Sequence, residues 1–165
     1  MDADFFSAQP FDEERLLQRL QKAAGFAVAS RREQTLHGAI HGTRVSFLGY
    51  EYPVLFPLTA FLGVEVADPR DIACMKINAI AGRGLRRDFV DLYAASRQFG
   101  LQELLRLFQE KFARLNYNRV HVLKSLTYFG DAEKDPMPEM LAQISWTEVR
   151  SFFEREAPAL LPSPG

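Results

Sequence analysis

Residues 71–93, DIACMKINAIAGRGLRRDFVDLY, constrain the fold of this chain more than any other stretch. They read as an apolar helix with one lysine, a break at Gly82-Arg83-Gly84, and a second helix opening on two aspartates. Lys76 is the only charge between Asp71 and Arg83. Helical residues four apart stack, so Ile72, Lys76 and Ile80 share a face. Asp88 and Asp91, three apart, lie together on one side of the next helix. A lone lysine on such a helix either carries its ammonium to water along its own stem or meets an anion. A cation, an arginine cluster and paired carboxylates about a glycine hinge point to a polyphosphate or metal-phosphate site.

The remaining composition narrows the class. At 165 residues and 47% hydrophobic, the chain suits one compact domain, or one domain with a helical appendage. Its net charge of −1 gives no global pull toward nucleic acid or membrane, so any such contact must come from a local patch. Cys74 is the single cysteine and lies in an apolar helix, which fits a reducing, cytoplasmic compartment. No apolar run approaches the roughly 18 residues that span a bilayer, and the acidic N-terminus does not resemble a secretory signal. No membrane partner is expected. Fourteen phenylalanines imply an aromatic-rich core.

Patterning along the chain gives strands first and helices second. A short strand is expected at the opening MDADFF, a helix over 11–24 ended by Gly25, and a strand over 26–31. Residues 36–40 and 43–48 alternate around His41-Gly42 as a β-hairpin. Residues 52–62 read as a proline-bearing connection, and 64–66 as a short strand. Helices follow over 69–81, 86–97, 101–115 and 118–129, then a loop over 131–139. Ser145 and Glu148 form a capping box for a last helix that Pro158 should end, before a frayed tail, LLPSPG. The fold class is α+β: a strand-rich part over 1–66 and a helical part over 67–165, forming one compact domain overall.

Asp2 and Asp4 point to one side of a strand, and two carboxylates so placed suit a divalent cation, with Mg²⁺ favoured by hard oxygen ligands. Read from residues alone, they are more simply two acidic residues at a terminus. Asp88 sits where a carboxylate caps the free N–H groups of a helix, and Asp91 continues that preference. Arg83, Arg86 and Arg87, beside a helix N-terminus, form either an anion site or a solvated loop paired with Asp88 and Asp91. His37, His41 and His121 are scattered, and with one cysteine a zinc site is not expected. No phosphate-binding P-loop, nucleophile elbow or dinucleotide fingerprint is present.

Lys76, Arg83 and RRDFVDL over 86–92 resemble the lysine, arginine and KDFxDL signature of the AbiEii/AbiGii toxin-like nucleotidyltransferases, a branch of the minimal nucleotidyltransferase superfamily. The resemblance takes in DADFF, TLHGAIHGTRVSFLGYEYPVL and SLTYFGDAEKDPMPEM, nearly the whole chain. It implies a nucleotidyltransferase-like mixed β-sheet followed by a C-terminal helical bundle. The implied reaction is Mg²⁺-dependent transfer of a nucleotidyl group from a nucleoside triphosphate. By the same resemblance, Asp2 and Asp4 are metal ligands, and Asp2, Asp4, Lys76 and Asp88 the catalytic set. Lys76, Arg83 and Arg87 would hold the nucleotide, Arg87 standing where the family has lysine. An RNA or protein acceptor and a cognate antitoxin are the implied partners.

Two parts of the family pattern have no counterpart. The Gly-Gly or Gly-Ser turn that precedes the DxD strand is missing before Met1, so a shortened chain or a remnant is expected. Ser46, in VSFL, takes the place of the third carboxylate. Two readings follow: a toxin-type nucleotidyltransferase, with Asp2, Asp4, Lys76 and Asp88 converging on one cleft, or a degenerate, non-catalytic member acting as a binding protein.

Overall fold

His41 and Gly42 both hold positive φ, 49° and 83°, the paired left-handed residues that a two-residue hairpin turn requires. They join β3 (Thr35–Ile40) to β4 (Thr43–Gly49), with Ile40 opposite Thr43. β2 (Ala27–Arg32) pairs antiparallel with β3, and β1 (Asp2–Ser7) lies parallel to β4. The result is a mixed four-stranded sheet in the order β1-β4-β3-β2. In this computed structural model, which describes residues 2–139 and 143–161, the chain divides into two units, Met1–Pro53 and Val54–Gly165.

In the first unit, α1 (Glu13–Ala24) covers one face of the sheet. Asp12 caps it, accepting from the Arg15 N–H at 2.9 Å, and Gly25 closes it in the left-handed conformation. Leu16, Leu17 and Leu20 pack on buried Phe26, Leu36 and Val45. Gly38 is required by this packing, since a β-carbon there would stand 2.3 Å from the Phe26 ring.

The second unit opens on a hairpin of β5 (Thr59–Phe61) and β6 (Val64–Val66) and continues as helices. α2 (Pro69–Arg83) starts with Asp68 as cap and proline in its first turn. α3 (Arg86–Phe99) and α4 (Leu101–Lys111) meet at Gly100, which holds φ 82°. α5 (Arg119–Ser125) is capped by Asn118, and α6 (Trp146–Ala159) by Ser145, which accepts from the Glu148 N–H at 3.1 Å. The core centres on Phe89, fully buried, whose ring lies 5.1, 5.9 and 5.6 Å from those of Phe129, Trp146 and Phe153. The Gly84 break exists for that ring, because a β-carbon at Gly84 would sit 2.7 Å from it. The apolar series Leu101, Leu104, Leu105, Phe108 and Phe112 is buried, as its 3–4 spacing implies.

The α+β class and the strand-then-helix order stand, with differences at particular elements. The first helix begins at Glu13, because Asp12 is the better cap. The connection over 52–62 contains β5, whose partner β6 turns back through Leu62 and Gly63 at positive φ. The helix expected over 101–115 ends at Lys111, and that expected over 118–129 is one short helix, α5. The loop over 131–139 contains a 3-10 turn, Ala132–Lys134. Pro158 does not end α6; it lies inside the last turn, one residue before the helix ends at Ala159. Of the tail expected to fray, residues 162–165 lie outside the described residues.

Candidate functional site

On β1, Asp2 and Asp4 are both exposed and project to one side, the side away from the α1-packed core. The sheet register sets their neighbours: Asp2 lies opposite Arg44, and Asp4 opposite Ser46, which lies opposite His37. The Arg44 guanidinium donates to an Asp2 oxygen at 3.0 Å. Among the described residues, no three His, Cys, Asp or Glu side chains are grouped to share a metal ion. The donor set on this face is therefore two carboxylates, with the Ser46 hydroxyl and the His37 imidazole in register beside them.

In the second unit, α2 buries Ala73, Cys74, Ile77 and Ile80 against its neighbours and leaves Lys76 at the edge of that surface. The Lys76 ammonium does not run free to water. It meets an Asp91 oxygen at 2.8 Å and an Asp88 oxygen at 3.3 Å, so the lysine of α2 ties down the opening of α3. Burial pushes its pKa down. The hydrogen bond to Asp91 and the charges of Asp91 and Asp88 outweigh burial and leave it above the ordinary lysine value. Beside the Lys76–Asp91 pair runs a groove of about 390 Å³, lined by Pro69, Ile72, Ala73, Ala94, Ala95 and Gln98.

Asp88 is 7% exposed. Its second oxygen accepts the Leu85 N–H at 3.2 Å, so it caps α3 and pairs with Lys76 at once. Asp91, on the next turn, is exposed.

The arginines separate. Arg86 does not pair with Asp88 or Asp91. Its guanidinium donates to the carbonyl oxygens of Ala132 and Glu133 at 3.0 and 3.1 Å, and its N–H to Asp135 at 3.1 Å. It also lies over the Trp146 ring, 5.0 Å from the centroid. Arg86 therefore fastens the 3-10 turn to the start of α3, and Trp146 adds a hydrogen bond to Glu133 at 3.2 Å. Arg83 and Arg87 are exposed at the hinge.

One charged pair lay outside the sequence reading. Asp71, fully buried in the first turn of α2, takes the Lys111 ammonium at 2.7 Å and the N–H groups of Leu55 and Phe56 at 3.1 Å each. A signal for it exists: Lys111 falls three and four residues after Phe108 and Leu107, on the buried stripe of α4. The pair is wholly enclosed and braces the start of the second unit.

The expected site residues thus form two sets, Asp2 with Asp4 in the first unit and Lys76 with Asp88 in the second, with Arg83 and Arg87 beside the latter. No helix among the described residues is long and apolar enough to cross a membrane. No solved structure matches the chain. An uncharacterised protein of Aquifex aeolicus (strain VF5) is 34% identical over 161 residues, which cover 94% of this chain and 76% of that protein. The family model of the AbiEii nucleotidyl transferase toxin, of type IV toxin–antitoxin systems, matches residues 42–163. That span holds Ser46, Lys76, Arg83, Arg87 and Asp88, and begins after Asp2 and Asp4. With three quarters of its length matched and a 34% identical relative covering most of it, this chain belongs to the AbiEii nucleotidyl transferase toxin family.

Proposed function

We propose that this protein transfers a nucleotidyl group from a nucleoside triphosphate to a hydroxyl of an RNA or protein acceptor, releasing pyrophosphate, in the presence of Mg²⁺, as the toxin of a toxin–antitoxin pair. The supporting observation is Lys76: a charged ammonium held by two carboxylates at a groove wall, within the family-matched span. In this reading Lys76 meets phosphate oxygens as a point charge, and Arg83 and Arg87 add cationic contacts for the triphosphate. Asp88 holds Lys76 in place. The chain's part in catalysis is positioning and electrostatics.

Asp2 and Asp4 fit Mg²⁺, which is commonly bound by one or two carboxylates while keeping waters and taking substrate phosphate oxygens. The Asp2 oxygen would exchange the Arg44 guanidinium for the ion. When bound, the metal neutralises charge on the phosphates. A cognate antitoxin is the partner that the type IV family membership supports.

The experiment is transfer of label from α-phosphate-labelled nucleoside triphosphates, with Mg²⁺, into cellular RNA and protein. Label in one acceptor class, lost in Lys76→Ala, supports the reading. No transfer with any of the four nucleotides counts against it.

A second reading is favoured by the register of β1 against β4. Asp4 faces Ser46, and a hydroxyl is a poor Mg²⁺ ligand in the position of a third carboxylate. In that reading the protein binds nucleotide or a partner without turnover, and nucleotide binds while no label is transferred.

A further inference from the structure

The two partners of Lys76 differ in what holds them. Asp88 is buried, and its second oxygen carries the Leu85 N–H, so moving it would undo the start of α3. The Asp91 side chain is 51% exposed, yet it makes the shorter contact with Lys76, 2.8 Å against 3.3 Å. Among the described residues Lys76 is the only ion-pair partner that Asp91 has. One ammonium between two carboxylates leaves the cluster with a net negative charge, which repels a phosphate. The Asp91 oxygen therefore occupies the one Lys76 contact that can be vacated, next to the 390 Å³ groove. The Asp91 end of the pair is half-exposed, so solvent screens it and takes up the carboxylate when it leaves.

We propose that Asp91 is a displaceable counter-ion. It stands on Lys76 where a nucleoside triphosphate oxygen binds, swings out to solvent as the phosphate arrives, and so sets how tightly the triphosphate is held. Asp88 stays and keeps the ammonium aimed at the groove. This rests on the reading of Lys76 as the phosphate contact.

Calorimetric titration of each of the four Mg²⁺–nucleoside triphosphates into the full chain tests it, with wild type, Asp91→Asn, Lys76→Ala, the double variant, and Glu103→Gln as a control for net charge. Thermal melts confirm that each variant is folded. Removing one like charge about 5 Å from the phosphate should tighten binding roughly three- to tenfold in Asp91→Asn. The gain should vanish in the Lys76→Ala background and be absent in Glu103→Gln. Weaker binding by Lys76→Ala with no gain in Asp91→Asn overturns the counter-ion alone. A gain that persists without Lys76, or that Glu103→Gln matches, overturns it as a bulk charge effect. Unchanged affinity in Lys76→Ala overturns the phosphate role of Lys76 and the counter-ion together, as does a wild type that does not bind.

Discussion

Lys111 donates to Asp71 at 2.7 Å across the helical unit, and the two side chains are 1% and 2% exposed. Two charges so enclosed are stable only together. Lys111→Met leaves the Asp71 carboxylate buried beside the Leu55 and Phe56 N–H groups without its cation, and should cost about 3–5 kcal/mol. Asp71→Leu strands the ammonium and also removes the acceptor for both N–H groups, so it should cost at least as much. In urea melts the double variant should lose clearly less than the sum of the two. Additive losses would mean that the charges do not depend on each other.

Phe89 is the hub of the aromatic core, in contact with Phe129, Trp146 and Phe153. Phe89→Ala should cost about 3–5 kcal/mol, the range for removing a buried ring. The same ring excludes a side chain at Gly84, so Gly84→Ala should also destabilise, through the 2.7 Å approach. A thermal melt unchanged by either substitution would contradict this packing.

Both positions show why parts of the fold are legible in sequence. Phe89 and Leu92 repeat at helical spacing after a glycine break, and both are fully buried. His41-Gly42 marks its hairpin because the turn demands positive φ at both residues. Lys76 stands out as the lone charge on an apolar helix, Asp88 as a carboxylate at the start of the next, and they meet. Pairings between distant segments leave weaker traces. Asp71 reads as an ordinary acidic residue in a first helical turn, and its partner lies 40 residues away. β5 is three residues long and follows Pro53 and Pro57, so no alternation can build up. The burial of Asp88 is not legible, because its spacing to Asp91 reports a shared side of the helix, not the depth of each residue on it.

Two groups make stability fall in alkali. Burial pushes the Cys74 thiol from the ordinary 9.0 to about 12. The unfolded chain ionises there first, so stability is full below about pH 9 and declines as pH rises toward 12. Lys76 has a folded-state value raised above 10.5. Its pairing contributes fully below that pH and is lost as pH rises through the folded value. Urea melts from pH 8 to 11 should therefore show a decline starting near pH 9, with the first part absent in Cys74→Ala. The native thiol should also resist alkylation at pH 8. A Cys74→Ala variant with an identical profile, or rapid labelling of native protein, would contradict the enclosure of Cys74.

In the proposed function, Mg²⁺–nucleoside triphosphates are bound through Lys76 and the Asp2–Asp4 pair. The most direct measurement is a calorimetric titration of the four nucleoside triphosphates, with and without Mg²⁺, into wild type, Lys76→Ala and Asp2→Asn/Asp4→Asn. At least one nucleotide should bind, and its binding should require Mg²⁺. Lys76→Ala should lose roughly 1.5–3 kcal/mol, the size of one charge-assisted contact, and the Mg²⁺ dependence should vanish once Asp2 and Asp4 are neutral. Absence of binding to all four nucleotides in Mg²⁺, or binding indifferent to all three residues, would contradict it.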